Sequence, residues 1–293
     1  MSSAAQDGRQ HEARGEAQTG ASAEAFERVA GLVGSATHLV ALTGAGLSVE
    51  SGIPPFRGPG GLWTRYGEPP MDAYERFLAD PVAAWRERLE PTQAWARALR
   101  DTLAAARPHA GHRALAQLEA AGRLRALVTQ NIDDLHRRAG HRQVLEIHGN
   151  HRLLRCSACH TRFEPKRLPV DPERLPPLCP ECGGIVKGDV VHFGEPIPPD
   201  VLRRCFEEAE RADGMLVIGT TANVFPAAEL PLEVLRRGGF VIEVNPHESD
   251  LSHAATLCLR EPAGTLLPRL VERVAASGTH TASPVASPDG WSR

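Results

Sequence analysis

Short apolar runs recur along this chain: "HLVAL" at 38–42, "LRALV" at 124–128, "QVLEI" at 143–147, "GMLVIG" at 214–219 and "GFVIEV" at 239–244. Each is rich in Leu or β-branched residues, and the stretches between them are long enough to hold helices. Continuous apolar runs suit strands covered on both faces, so the pattern predicts an α/β fold, an open parallel sheet with helices on either side. Helices are expected near 22–34, 91–106, 110–121, 198–211, 226–237 and 263–275. Pro198 and Pro199 stand where a helix would begin, and Gly122, Gly238 and Gly239 where helices would end. Residues 151–191 break the rhythm with frequent Pro and Cys and no long apolar run, which predicts a small inserted module. Residues 1–21 and 277–293 are small, polar and aperiodic, and both are expected to be disordered tails.

With 293 residues, 42% of them hydrophobic, the chain can bury a substantial core. A net charge of -3 and a pI near 6.5 provide no global basic field, so nucleic acid is not an expected partner. No apolar run approaches the roughly 18 residues a membrane span needs. The first two dozen residues lack the apolar segment of a secretory signal. A soluble cytoplasmic protein with no membrane partner is the expectation.

Four of the six cysteines change the picture. "CSAC" (Cys156, Cys159) and "CPEC" (Cys179, Cys182) are separated by 19 residues, a spacing that suits one tetrahedral metal ion. Four thiolates leave no open position for water, so a structural zinc ion is expected. A disulfide pair or an iron–sulfur site is the alternative. A zinc ribbon that grips nucleic acid would need a basic, aromatic surface, which this segment lacks. His151 and His160 beside the knuckles are expected on the surface, and Cys205 and Cys258 in core packing.

The run "LTGAGLSVESGIPPFRGPGGLW" follows the first strand, and Gly44 and Gly46 would let backbone amides approach a phosphate. The third glycine of the dehydrogenase fingerprint is absent, Val49 standing in its place, and no ribose-binding acid closes a compact unit, which disfavours hydride transfer. Phe56 and Arg57 could stack on and pair with a ligand, or be a core Phe beside a surface Arg. After the second strand, "TQNIDDLHRRAG" crowds polar side chains into one connection, which by itself reads as a helix-capping loop with Asp134 as the cap. A lone histidine such as His148 in "LEIHGN" is by itself more often structural.

Together "GAGLSVESGIPPFRG", "TQNIDDLHRRAG" and "LEIHGN" closely resemble the signatures of the sirtuin family. The resemblance continues through "PHAGHRALAQLE", the four cysteines, "VVHFGEPIP", "GTTANVFPAAELP" and "VIEVNP", covering about residues 25–275 in the family's order. It implies a Rossmann-like doubly wound domain over 22–150 and 192–276 that binds NAD, a small zinc-binding domain over 151–191, and a cofactor cleft between them. It also implies NAD-dependent removal of an acyl group from lysine, in which the amide oxygen attacks the nicotinamide ribose, nicotinamide leaves, and O-acyl-ADP-ribose forms.

By the same resemblance Gly44, Ala45, Gly46, Ser48, Ile53, Phe56 and Arg57 belong to the NAD loop. Gln130 and Asn131 contact the ribose next to nicotinamide, and Asp133 holds the carboxamide with Ile132 nearby. Gly219, Thr220 and Thr221 meet phosphate or ribose, Asn245 the adenosine ribose, and the backbone near Ala263 the adenine. His148 is the general base, an imidazole able to take a proton at neutral pH, and Asn131 shares the catalytic centre. "VVHFGE", with His192, Phe193 and Gly194, would offer an extended edge to an acyl-lysine peptide or protein, although Phe193 could equally be core. Family members that prefer acidic acyl groups carry a Tyr and, three residues later, an Arg. Here Trp85 and Arg88 have that spacing without the Tyr, so a neutral acyl group, acetyl first, is expected. Two other outcomes use the same loops: mono-ADP-ribosyl transfer or plain NAD hydrolysis, and a non-catalytic NAD sensor.

Overall fold

The computed structural model describes residues 23–58 and 60–278. The expected tail 1–21 lies outside them, and of 277–293 only 277 and 278 lie within, closing the last helix. The strands are β1 (Leu39–Thr43), β2 (Leu124–Thr129), β3 (Val144–Glu146), β4 (Leu154–Cys156), β5 (Arg162–Phe163), β6 (Val186–Gly188), β7 (Gly214–Ile218), β8 (Phe240–Val244) and β9 (Leu257–Leu259). Among the described residues, six of them form one parallel sheet in the order β3-β2-β1-β7-β8-β9. The five apolar runs became β1, β2, β3, β7 and β8. Strand β9 was missed, being three residues at the sheet edge and only partly buried.

The helices are α1 (23–35), α2 (Ala45–Ser48), α3 (Leu62–Tyr66), α4 (Ala73–Ala79), α5 (Pro81–Leu89), α6 (Ala94–Ala105), α7 (Ala110–Ala120), α8 (Leu135–Arg138), α9 (Pro199–Arg211), α10 (Glu229–Arg236) and α11 (Ala263–Gly278). Strand side chains alternate between two layers. Leu39, Ala41, Leu216, Ile218, Ile242 and Val244 pack on α1, α7 and α11 through Val29, Val33, Leu115, Leu118, Leu266 and Leu270. Val40, Leu42, Met215, Val217 and Val241 pack on α9 and α10 through Cys205, Ala209, Leu230 and Val234. Both faces are therefore sealed, which is why the strands read as unbroken apolar runs. Truncating a fully buried leucine such as Leu216 to Ala would cost about 2–5 kcal/mol.

Helix ends follow local chemistry. Pro198 is the N-cap of α9 and Pro199 its first residue. Gly122 and Gly238, both at positive φ, follow α7 and α10. The helix expected from 91 starts at Ala94, because the Glu87 carboxylate accepts from the Thr92 and Gln93 amides and turns the chain there. Helices α3 to α5 were not anticipated, since 62–89 is charged and carries no long apolar stripe.

Strands β5, β4 and β6 form a separate antiparallel sheet. Its core is Leu154, Cys156, Cys179 and Val186, completed by Trp85 reaching in from α5. The Trp85 indole N–H donates to the Val186 carbonyl at 2.7 Å.

Candidate active site

Strand order reverses between β1 and β7, which opens a crevice at the carboxyl ends of these strands. The loops leaving them interlock. Gly44 N–H donates to the Ile218 carbonyl at 2.9 Å and Gly46 N–H to the Gly219 carbonyl at 2.8 Å. A Cβ on Gly46 would lie 2.8 Å from Gly219 Cα, and one on Gly219, at φ +61, would lie 2.3 Å from Leu47 N. Glycine is thus required first for two protein loops to meet; closeness to a phosphate is a second use of the same smallness.

The polar cluster after β2 folds onto the β1 loop. Asn131 Nδ2 donates to the Gly44 carbonyl at 2.9 Å and to Ser48 Oγ at 3.2 Å, and Ser48 Oγ donates to Asp133 Oδ2 at 2.7 Å. Asn131, Asp133 and Ser48 are all buried. Burial pushes the Asp133 carboxyl up from its usual range, while the Ser48 hydroxyl and the Leu135 amide pull it back. Gln130 Nε2 donates to Thr220 Oγ1 at 3.0 Å, tying β2 to the loop after β7. Asp134 does not cap α8: Asp133 Oδ1 accepts from Leu135 N–H at 2.9 Å, and Asp134 instead accepts from Asn150 Nδ2 at 2.9 Å.

His148 leaves β3 and its Nδ1 lies 3.1 Å from the Gln130 carbonyl. A carbonyl can only accept, so Nδ1 carries the proton and Nε2 keeps its lone pair. Burial holds the imidazole below its ordinary pKa, partly offset by that carbonyl. Two distant sequence motifs converge: Ala45, Ser48, Ile53, Phe56, Asn131, Ile132 and Asp133 line one pocket with Leu99 and Leu103 of α6.

Phe56 packs on Trp63 at 5.1 Å between ring centroids, and Trp63 meets Phe193 edge-on at 5.6 Å. These rings link the β1 loop to the 192–194 segment. Arg57 lies on the outside, its guanidinium 4.6 Å above the Trp63 ring and paired with Glu68. The 190–195 segment is a loop with a turn at Phe193 and Gly194, and the Phe193 carbonyl accepts from Tyr74 N–H at 3.0 Å. Trp85, Arg88 and His192 line a second pocket with Phe77, Ala84, Lys187, Gly188 and Val190. Trp85 is at the same time a core residue of the small lobe, only 2% exposed. Burial, with the charges of Lys187 and Arg88, pushes the His192 imidazole down to about 4.

At the far end of the crevice, Asn245 Nδ2 donates to the Thr220 carbonyl at 3.0 Å, and Thr221 is exposed with its hydroxyl on Asn223. Ala263 opens α11 beside Gly111, with its side chain in the core.

The four cysteine sulfurs lie within 4.8 Å of one another. Cys156 and Cys182 are 3.5 Å apart and Cys159 and Cys179 3.7 Å. Bonds of about 2.3 Å to a tetrahedral zinc ion would place sulfurs about 3.8 Å apart, so the donor set fits that ion. A side chain at Gly184 would fall 3.1 Å from Cys156 Sγ, so glycine lets the second knuckle close. His160 is exposed as expected, but His151 is half-buried with Nδ1 on the Ile132 carbonyl at 2.8 Å. Cys205 is in the core; Cys258 is half-buried, its thiol on the Ser252 carbonyl.

Two features were not foreseen. His109, His112, His136 and His141 form a string with ring centroids 4.4, 4.9 and 5.2 Å apart. It runs under the β1 loop, His109 Nε2 on the Leu47 carbonyl and His136 Nε2 on Thr43 Oγ1. The other is an ionic network between the lobes, in which the buried carboxylates Glu146 and Asp189 meet Arg137, Arg155 and Arg162. Neither has a one-dimensional period to betray it.

A profile of the Sir2 family matches residues 44–226. The chain is 44% identical over 250 residues to NAD-dependent protein deacylase 1 of Archaeoglobus fulgidus, covering 85% of this chain and 97% of that one. NAD-dependent protein deacylase 2 of Pyrobaculum aerophilum is 44% identical over 246 residues, covering 84% and 94%. Among solved structures, a Sir2 homologue in complex with NAD superposes with a TM-score of 0.70 at 44% identity, covering 86% of this chain and 94% of that one. A Sir2–p53 peptide–NAD complex superposes with a TM-score of 0.69 at 34% identity, covering 86% and 99%.

Proposed function

Because this chain belongs to the Sir2 family, we propose that it is an NAD-dependent protein-lysine deacylase whose preferred acyl group is acetyl. NAD is the co-substrate, and the four cysteines hold one structural zinc ion. The observation that carries the reading is the group assembled where β1, β2 and β3 end, in which Ser48, Asn131 and Asp133 are joined by hydrogen bonds and His148 is bonded to the carbonyl of the adjoining Gln130.

In this group Gln130 and Asn131 face the nicotinamide ribose, and Asp133, its carboxyl raised by burial, holds the carboxamide between Ile53 and Ile132. Gly44, Ala45 and Gly46 with Gly219, Thr220 and Thr221 take the phosphates, Asn245 the adenosine ribose and the Ala263 backbone the adenine. Phe56 covers the reacting carbon and keeps water away until the amide oxygen of acyl-lysine has attacked and nicotinamide has left. Arg57 closes the loop's outer side. His148, neutral at pH 7 with Nε2 free to accept, then removes a ribose hydroxyl proton, and water releases lysine and O-acyl-ADP-ribose.

The acylated protein is held along His192, Phe193 and Gly194, with the acyl chain directed toward the pocket of Trp85, Arg88 and His192. Arg88 in that pocket favours a second reading, an acidic acyl group; against it, Arg88 already donates to the His151 carbonyl and His192 is neutral. We assign residues 22–150 with 192–276 to the NAD-binding domain and 151–191 to the zinc module, a division supported by the two separate sheets. Among the described residues no helix is long and apolar enough to cross a membrane. We place the protein in the cytoplasm, where thiolates persist.

Mass spectrometry of products from NAD and a panel of acyl-lysine peptides tests the reading. Nicotinamide, free lysine peptide and O-acetyl-ADP-ribose should appear together, faster for acetyl than for succinyl peptide. Nicotinamide released at the same rate without peptide would instead establish an NAD hydrolase. Higher kcat/KM for succinyl peptide would assign the pocket to acidic acyl groups.

A further inference from the structure

We propose that Arg162, on the metal-binding lobe, is a positioning residue for His148, holding the loop between β3 and β4 by gripping two buried carboxylates at once. The inference rests on the deacylase reading above.

His148 sits in the five-residue stretch from Glu146, the last residue of β3, to Asn150. The loop is pressed against the segment that leaves β6: Val191 N–H donates to the His148 carbonyl at 3.0 Å. Gly149, at φ +81, lies so close that a Cβ there would fall 2.0 Å from the Asp189 carbonyl oxygen. Both anchoring carboxylates are shut away from water, the Glu146 side chain 3% and the Asp189 side chain 0% exposed. Two buried carboxylates this close require compensation by cations.

Arg162 supplies it in a form that also fixes distance. Its Nη1 donates to Glu146 Oε2 at 2.9 Å, its Nε to Asp189 Oδ1 at 3.1 Å, and its Nη2 lies 2.6 Å from Asp189 Oδ2. A planar guanidinium engaging two carboxylates sets their separation, which an ammonium cannot do. Asn150 completes the bracket: its backbone N–H donates to Asp189 Oδ2 at 2.9 Å and its Nδ2 to Glu146 Oε1 at 2.6 Å. Thus both ends of the His148 loop hang on the two carboxylates that Arg162 spans. Arg162 itself stands in β5, paired in register with Arg155, the neighbour of Cys156. The metal knuckle therefore reaches the catalytic loop through this side chain.

Replacement need not collapse the network. Glu146 keeps Arg137 at 3.0 Å, and Asp189 keeps Arg155. What is lost is the charged bridge between them, leaving Asn150 alone to span the two, so the expected defect is in the placement of His148 more than in folding.

The test compares zinc-loaded full-length wild type with Arg162→Met, Arg162→Lys and Glu146→Gln. Two reactions are followed: acyl-peptide-dependent exchange of labelled nicotinamide into NAD, which precedes the base, and deacylation, which needs it. All three variants should retain zinc and exchange nicotinamide within about twofold of wild type, while deacylation kcat falls at least about tenfold, the scale of a displaced reacting group. The acid limb of the kcat/KM profile should move to higher pH as water reaches the His148 ring. Unchanged kcat and pH profile would overturn the inference, and so would exchange and deacylation falling by one common factor. If Arg162→Met fails to fold, Arg162→Lys and Glu146→Gln carry the same split. Wild type that exchanges no nicotinamide with acyl-peptide would sink the deacylase reading instead.

Discussion

The loop after β1 is fixed by close backbone contact and hydrogen bonds, whereas the loop after β3 is fixed by ion pairs. Gly44, Gly46 and Gly219 mesh without side chains, Asn131 ties Ser48 and the Gly44 carbonyl together, Ser48 adds a bond to the Asp133 carboxyl, and imidazoles support the loop from below. The His148 loop has Glu146, Asp189 and three arginines around it. The first loop is supported by strands of its own sheet, whose spacing is set by the ladder, so shape alone can hold it. The second bridges two lobes that share no ladder, and there long charged side chains span the gap.

Four experiments would break or sharpen that contrast. The largest effect is expected from His148→Ala: deacylation should fall by roughly 100- to 10,000-fold, the usual worth of a general base. Its melting temperature should barely move, because the ring is tied by one bond to the Gln130 carbonyl. A large loss of stability would mean that the ring itself, and not the ions, holds the loop.

Next comes Gly149→Ala against Gly52→Ala. Both glycines have positive φ, but a Cβ on Gly52 meets nothing within 4 Å, whereas one on Gly149 overlaps the Asp189 carbonyl. Denaturant unfolding should show a cost of about 1 kcal/mol for Gly52→Ala and several-fold more for Gly149→Ala. Equal costs would deny the tight seating of the β3 loop. Ser48→Ala removes a buried hydroxyl from both Asp133 and Asn131, and should cost about 1–3 kcal/mol and raise KM for NAD.

The gentlest probe is acid. Burial, then neighbouring imidazoles and Arg113, push His112 down to about 3, and burial lowers His136 and His141 as well. The unfolded chain takes up protons below about pH 6.5 while native His112, His136 and His141 resist them. Stability from the string is therefore complete above about 6.5 and drains as pH falls toward 3. Urea midpoints measured from pH 7.5 to 5 should decline, and His112→Leu should flatten the decline. An unchanged slope in that variant would remove the imidazoles from the account.

Much of this was legible in the chain. The β1, β2, β7 and β8 runs announce two-faced burial, and the cysteine pairs announce their ion. Ser48, Asn131 and His148 were singled out only through family resemblance, since the polar cluster and a lone histidine each had a plainer explanation. What stayed hidden depends on distance in three dimensions. Arg162 is 16 residues from Glu146 and 27 from Asp189, and nothing local marks any of them as partners. Asp133 and Asp134 look interchangeable as caps; the left-handed backbone at Asp134, φ 66, turns its carboxylate toward Asn150 and leaves capping to its neighbour.

Trp85 lends its indole to a lobe in which it does not itself reside. A segment cut at 151–191 would lack the largest ring of its own interior, so autonomous folding of that fragment is not expected. The same ring is a natural optical reporter: enclosed beside two of the sulfurs, it should fluoresce at short wavelength with the metal in place. Chelation that loosens the knuckles would shift its emission to the red before the large sheet melts.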